Sequence, residues 1–527
     1  MPGGLDQQPD IVNLIQSVSM TEAMSSPLEK PLWIEAMTNE HASQLSHFTG
    51  DLVPPPKNDK IIGGMWVLSK KLNEANEVIR HKAHWVGFGN HQEHMIHYYQ
   101  TYASVGRIET FKVLLSIAQT FLWPVFQFDV ETAFLHGEMD ANVYVRQVSG
   151  FKVPGKENWV WKLNKSLYGM KQAPQMWKQH LTKTLRDLGL TPSIMDDALF
   201  FNADCTLFLH IYVDDGLLVG QNRSILTSFL SKLQDVYKIK TKENPTHHLG
   251  YTIEWKTNSI VIHHQNYVEK ILDEFNMSTA NAVKTPLPTN ALHQVEAESD
   301  PFDAAVMQKA MGYVSYLAIH SRPDIVFACN LLSRYSSKPT KNHWSLMKHL
   351  LRYIKGTKKL GIEIRNRRCP RDLVGYADAD YAMSSRDKKS TTGFAIQFQG
   401  NLICWKSKKQ SVVAQSTTEA EFISINVCAK QIRWLKNLLI DMKIPVGVPT
   451  IMNDNSGAVI ISQELRLSEN SKHIEIRYQY LRDIVAKNQL KITDINTQDM
   501  IADIMTKPLG SIKVAAAQKQ LHLTCIN

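Results

Sequence analysis

Residues 206–220 read TLFLHIYVDDGLLVG, two apolar arms that meet at Tyr212, Val213, Asp214 and Asp215. Leu207, Leu209, Ile211 and Tyr212 suit a pleated, largely buried surface, so both arms read as strands. The two aspartates then fall at a hairpin turn, where Gly216 is expected to ease the backbone. Carboxylates placed side by side in apolar surroundings are costly unless a cation neutralises them. A divalent metal is the natural partner, and Mg2+, a hard ion that shares oxygen ligands with phosphates, is the first candidate.

A further carboxylate comes from residues 126–130, FQFDV, a strand pattern that delivers Asp129 just before the helical reading AFLHGEM. Asp129, Asp214 and Asp215 would suffice for phosphoryl transfer with two metals. Adjacent aspartates alone carry little weight. Asp196 and Asp197 form another pair, but in a loop-like TPSIMDD stretch that reads as a solvated turn. The apolar setting is what singles out Asp214 and Asp215.

With 527 residues and 43% hydrophobic content, the chain has room for roughly two to four cores. A formal charge of +9 favours an anionic partner such as nucleic acid. Six scattered cysteines without a CxxC pair argue against a zinc site or a disulfide framework. No apolar run is long enough to span a membrane, and MPGGLDQQPD lacks a signal-peptide pattern, so a soluble intracellular protein is expected. A first helix is expected from Trp33, Met37 and Leu45, a loop from DLVPPPKNDK, a strand from GMWVLSKKL and an apolar helix from Ile108 to Phe121. Lys284 to Asp300 reads as a linker, and Arg367 to Pro370 as a break before alternating strands and helices.

Three blocks resemble copia-type retrotransposon reverse transcriptases: Asp129 to Gly137 (DVETAFLHG), Lys165 to Trp177 (KSLYGMKQAPQMW) and Tyr212 to Asp215 (YVDD). The resemblance implies a right-hand polymerase in which Asp129, Asp214 and Asp215 hold two metal ions in the palm. Phe134 would be an aromatic gate that clashes with a 2′-hydroxyl and so selects deoxynucleotides; alone it would read as a core phenylalanine. Gln172 and Tyr212 would lie by the nucleotide, with Lys171 a candidate phosphate contact. Arg80 and Lys82, on a basic finger strand, would hold the triphosphate, or else be solvated charges. Leu249 and Gly250 match the block expected to steady the primer end.

The C-terminal third carries a second set of acids: YADADYA around Asp378 and Asp380, STTEAEF around Glu419 and Glu421, DNSGA at Asp454 and ADIMTK at Asp503. These resemble the family's ribonuclease H blocks. Carried over, Asp378, Glu421, Asp454 and Asp503 would be catalytic and metal-binding, with Asp380 and Glu419 ranked below them. Lys406, Lys408 and Lys409 would contact the hybrid backbone, or form an ordinary charged turn. The blocks around Arg322 and Arg352 belong to the connection, where their basic residues could track duplex or merely be solvated helix ends. Lys472, His473 and Ile474 also match a block, without a derivable chemistry.

The implied fold is α+β and α/β in several domains. Residues 1–30 are expected as a poorly ordered lead-in, 31–283 as fingers, palm and thumb, and 284–370 as linker and connection. Residues 371–510 would be a ribonuclease H-like domain and 511–527 a tail. The implied partners are RNA template, DNA primer, RNA–DNA hybrid and deoxynucleoside triphosphates, with Mg2+, or Mn2+ in its place. No membrane partner is expected. A homodimer or particle assembly, in cytoplasm or nucleus, fits the resemblance. Departures from the pattern cluster early: His84-Trp85, Gly87-Phe88-Gly89 and Ala103-Ser104-Val105, with Gly216 and His248 nearer the palm. Protease and integrase regions are absent, so the chain reads as the C-terminal part of a polyprotein or a genomic remnant. The alternative to an active enzyme is a decayed copy that binds nucleic acid without turnover.

Overall fold

A computed structural model describes residues 14–72, 77–367, 372–382, 387–463 and 475–526. Strand β1 (Leu14–Val18) pairs antiparallel with β2 (Gly64–Leu72), which forms a hairpin with β3 (Val78–Gly87). Residues 1–13 of the expected lead-in lie outside the described residues. The rest of it is ordered, because β1 adds an edge to this sheet and the short helix α1 (Met20–Ser25) buries Ala23. In α2 (Lys30–Ser46), Trp33 and Met37 are buried as their spacing predicts. Leu45 is exposed instead, and Gln44 takes the inner position, donating to Glu40 at 3.1 Å. The expected loop at 51–60 begins as a strand, Gly50–Val53, paired with Val160–Leu163.

The central sheet follows helix α3 (Ile108–Phe121). It contains β4 (Val125–Val130), β5 (Leu190–Pro192), β6 (Leu199–Asn202), β7 (Leu207–Tyr212), β8 (Asp215–Gly220) and β9 (Ile239–Glu243). The order is β9-β4-β8-β7-β6-β5, all antiparallel. Alternation splits its side chains between two cores. Phe126, Phe128, Leu209 and Leu218 pack with α4 (Ala173–Asp187), while Val125, Phe208, Leu217 and Val219 face α3. Asp129 and Asp215 continue that second row toward strand ends, where burial gives out.

A second antiparallel sheet runs His247–His248, β10 (Tyr251–Lys256), β11 (Ser259–His263), β12 (Leu360–Arg365) and the last strand of the chain. Between β11 and β12 lie the long helices α5 (Ala304–His320) and α6 (Lys341–Gly356). β12 pairs with β11 from Ser259–Arg365 to Ile262–Ile362, so the expected boundary at 283/284 cuts through one sheet.

The third sheet has the order β15-β14-β13-β16-β17, built from β13 (Leu373–Asp380), β14 (Thr391–Phe398), β15 (Asn401–Lys409), β16 (Thr450–Asn453) and β17 (Lys491–Asp494). Its first three strands are antiparallel, and β16 and β17 join in parallel. The long helix α7 (Thr417–Asp441) covers one face, its N-terminus capped by Ser416. α3 is buried on every face from Thr110 to Gln119 because β12 and β15 pack on the side away from the central sheet. The expected tail, 511–527, is instead helix α8 (Ser511–Gln520) and strand β18 (Leu523–Cys525), which pairs with β12. Leu521 and Leu523 bury apolar surface there, which is why the segment folds. Among the described residues no helix is long and apolar enough to cross a membrane.

Candidate functional site

The pairing of Tyr212 with Asp215 leaves Val213 and Asp214 as the turn between β7 and β8. Val213 has φ +59°, a left-handed conformation that costs a β-branched residue about 1–3 kcal/mol. Two contacts hold it there. Trp177 Nε1 donates to the Val213 carbonyl at 2.7 Å, and the Val130 amide donates to the Asp214 carbonyl at 3.0 Å. Gly216 does not supply the turn, contrary to expectation: it lies within β8, where a Cβ would meet the Phe128 ring at 2.3 Å.

Asp215 sits directly across from Asp129, with Lys240 on the other side of Asp129. Burial, then repulsion from Asp214 and Asp129, pushes the Asp215 carboxyl up to about 7. Burial followed by Asp214 also raises Asp129, while Lys71, Lys240 and Lys82 oppose the rise through space. Gln127 Nε2 reaches Asp215 at 3.4 Å. Two raised carboxyls beside Asp214, facing lysines that stay at a distance, form a donor set suited to hard cations.

Lys71, Arg80 and Lys82 share one face of the β2–β3 hairpin, since Lys71 pairs with Arg80 and Lys82 lies two residues on. Lys82 and Lys71 both act on Asp129; Arg80 acts on Lys71. Phe134 is partly buried, its carbonyl bonded by Ser166 Oγ. The Tyr168 ring stands edge-on to it at 5.3 Å and 82°. Behind Tyr168 lies the His84 ring at 4.5 Å, itself 3.3 Å from Glu40.

Gln172 is elsewhere. It is fully buried, accepting from Gln92 at 2.9 Å and donating to the His97 carbonyl at 2.8 Å, so it clamps the 88–106 loop rather than facing the acids. Lys171 stays exposed beside Tyr98. Tyr212 is 38% exposed and lies near Tyr316, whose phenol is pushed up by burial and then by Tyr212. Asp196 is not solvated: it is buried and accepts from Thr110 Oγ1 at 2.6 Å, whereas Asp197 is ion-paired with Lys178.

The second set of acids converges more tightly. One oxygen each from Asp378 on β13, Asp454 after β16 and Asp503 in a 3-10 turn (Ile501–Met505) lie within 4.8 Å of one another, the only such group among the described residues. Glu421 on α7 stands beside them, accepting from Asn453 Nδ2 at 2.9 Å. Burial, then Asp378, pushes Glu421 up to about 9. Burial raises Asp378 to about 6 against the pull of Lys507, whose Nζ lies 2.8 Å from Asp503 and 3.8 Å from Asp378. Thr506 Oγ1 also bonds Asp378. Glu419 accepts from the Gln415 amide at 2.7 Å, a helix-start contact that accounts for it structurally.

Leu249 and Gly250 form the turn before β10, with φ of +51° and +80°. Lys406 and Lys408 are exposed on the edge strand β15, not in a turn; Lys409 faces the other way and pairs with Asp387 at 2.8 Å. Arg322 is buried against Asp324 at 2.7 Å, so it cannot track a duplex. Arg352 and Lys355 bond the carbonyls of Asn281 and Ala280. Lys472, His473 and Ile474 lie outside the described residues. Tyr168, Trp177, Lys71 and Lys507 were not singled out from sequence. The first two lie in quoted blocks, and ADIMTK carries the last, but only the fold brings them to the acids.

A family model described as reverse transcriptase (RNA-dependent DNA polymerase) matches residues 48–289. The retrovirus-related Pol polyprotein from transposon RE2 of Arabidopsis thaliana is 32% identical over 91% of this chain and 33% of its own length. That from transposon TNT 1-94 of Nicotiana tabacum is 32% identical over 93% of this chain and 37% of its own. A Ty5-1 transposon protein of Saccharomyces cerevisiae is 30% identical over 58% of this chain and 100% of its own length. The chain thus spans about a third of the length of the Pol polyproteins it matches. A solved foamy viral protease-reverse transcriptase in complex with an RNA/DNA hybrid is 12% identical, with a TM-score of 0.41 over 75% of this chain and 46% of that one, too loose a likeness to argue from.

Proposed function

The chain belongs to the Pol polyprotein family of copia-type transposons, with their reverse transcriptase region, and from that premise we propose that it is an RNA- and DNA-templated DNA polymerase that also cleaves the RNA of RNA–DNA hybrids. The observation that carries the reading is the pairing of Asp215 with Asp129 beside the Asp214 turn. Burial and neighbouring acids raise the Asp129 and Asp215 carboxyls, a cost that bound cations would relieve.

In this reading the β1–β3 sheet and the central sheet supply fingers and palm, the β10–β12 sheet with α5 and α6 supplies thumb and connection together, and residues 371–510 form a ribonuclease H-like domain. Asp129, Asp214 and Asp215 would hold two Mg2+ ions, which when bound lower the pKa of the primer hydroxyl and steady the leaving pyrophosphate. Lys71, Arg80 and Lys82 present a cationic face to the triphosphate. Phe134, backed by Tyr168, closes the space a 2′-hydroxyl would need. Leu249 and Gly250 would present backbone to the primer end. At the second centre Asp378, Asp454 and Asp503, with Glu421 beside them, would hold the ions for hydrolysis of the RNA strand, and Lys406 and Lys408 would meet the hybrid backbone. Gln172 would act by holding the 88–106 loop through Gln92 and His97, and the exposed Tyr212 would lie by the nucleotide.

Purified protein should extend a DNA primer on an RNA template with deoxynucleotides and Mg2+, and its Asp214→Asn variant should not. Equal extension by both would refute the reading. Hybrid binding without either activity would favour a decayed copy.

A further inference from the structure

Glu131 is the first residue after β4 and lies two positions beyond Asp129, so the two side chains leave the same side of the chain. Its amide donates to the Lys238 carbonyl at 3.0 Å, which carries the pairing of β4 with β9 one step past the strand ends. On β9, Lys240 stands directly opposite Asp129. Residues opposite each other in an antiparallel pair have Cβ atoms about 4.5–5.5 Å apart, and opposite charges placed there attract. The expected partner of Lys240 is therefore Asp129. The structure gives it another. Lys240 Nζ lies 2.8 Å from one oxygen of Glu131, and Lys238 Nζ lies 2.8 Å from the other. Among the described residues Asp129 has no ion pair.

An ammonium group seated on Asp129 would compete with a divalent ion for the same carboxylate oxygens. We propose that Glu131 is a positioning residue that draws Lys240 away from Asp129 and so keeps Asp129 open to metal. Both Glu131 oxygens are taken by lysines, so its carboxylate is engaged in holding them rather than in meeting the ion itself. Lys238, on the second oxygen, steadies the carboxylate at the strand ends. Both lysines are exposed, and exposed ion pairs are individually weak, so the effect on metal affinity is a few-fold one. The inference rests on the polymerase reading for the identity of the site, but metal binding tests it without turnover.

The probe is Mn2+, titrated into the full chain on a primed RNA template without deoxynucleotides, with free Mn2+ read from its electron paramagnetic resonance signal. Every protein in the series carries Asp454→Asn, which silences the second centre. Glu131→Gln should weaken binding about fivefold, because Lys240 is released to pair with Asp129. Lys240→Gln alone should stay within about twofold of the parent, and adding it to Glu131→Gln should restore binding. Should Glu131→Gln fail to fold, Glu131→Asp takes its place, keeping the charge but falling short of Lys240, with the same expected order. A loss that Lys240→Gln does not restore would overturn the proposal, as would no loss at all. So would a gain in Lys240→Gln equal to the loss in Glu131→Gln, which is an additive field rather than a diverted lysine. A parent protein that shows the expected pattern, while the chain with Asp454 intact extends no primer, would fault the polymerase reading and leave the role of Glu131 standing.

Discussion

Trp177 Nε1 lies 2.7 Å from the Val213 carbonyl, so a helix residue 36 positions upstream holds the strained turn that presents Asp214. A buried indole donor with one acceptor is worth roughly 1 kcal/mol, similar to the lower estimate of the strain it offsets. Trp177→Phe keeps the ring and removes the donor. It should lower kcat of primer extension about fivefold, with little change in nucleotide KM and none in hybrid cleavage. A change confined to KM would show that the bond does not position the turn.

Tyr168 meets Phe134 edge-on and is braced in turn by His84. Tyr168→Ala should let Phe134 tilt and raise the use of ribonucleotides relative to deoxynucleotides by about tenfold, measured as the ratio of kcat/KM values. Tyr168→Phe, which keeps the ring, should leave the ratio unchanged. Identical ratios in all three proteins would remove Tyr168 from sugar selection.

Gly216 is required by packing. In Gly216→Ala the new Cβ meets the Phe128 ring at 2.3 Å, and overpacking of this kind costs about 1–3 kcal/mol. Thermal unfolding should shift down by several degrees. An unchanged midpoint would mean that Phe128 moves freely.

The raised acids should make stability depend on pH and on added metal. Asp378, Asp215 and Glu421 are raised to about 6, 7 and 9, chiefly by burial. A carboxyl whose folded pKa lies above its unfolded value stabilises the fold below the unfolded value, and that contribution is lost as pH rises through the folded one. Metal-free protein should therefore melt at lower temperature as pH climbs from about 5 to 9, and added Mg2+ should flatten the fall. Asp215→Asn should remove the part of the fall that lies below about pH 7. A flat metal-free profile would contradict the raised carboxyls.

How much of this was legible beforehand follows from range. The hairpin arms, Asp129 at the end of its strand and the buried α3 are local patterns, and apolar alternation reveals them. The left-handed Val213 is not local: Trp177 and β4 impose it on a residue whose type argues against it. Gln172 sits in a matching block, but its amide is consumed by Gln92 and His97 from a loop some 80 residues away. Lys71 becomes visible only when β2 pairs with β3. Polar composition hid the order in 14–25, and α8 with β18 read as a tail because three residues suffice to extend a sheet that already exists.

Two metal centres with separate chemistry are the central claim. The most direct measurement gives one primed RNA template, with deoxynucleotides and Mg2+, to wild type, Asp215→Asn and Asp454→Asn in parallel, and follows primer extension and RNA cleavage in the same reaction. Asp215→Asn should lose extension and keep cleavage of preformed hybrid; Asp454→Asn should do the reverse. Loss of both activities in either folded variant, or retention of both, would contradict the account.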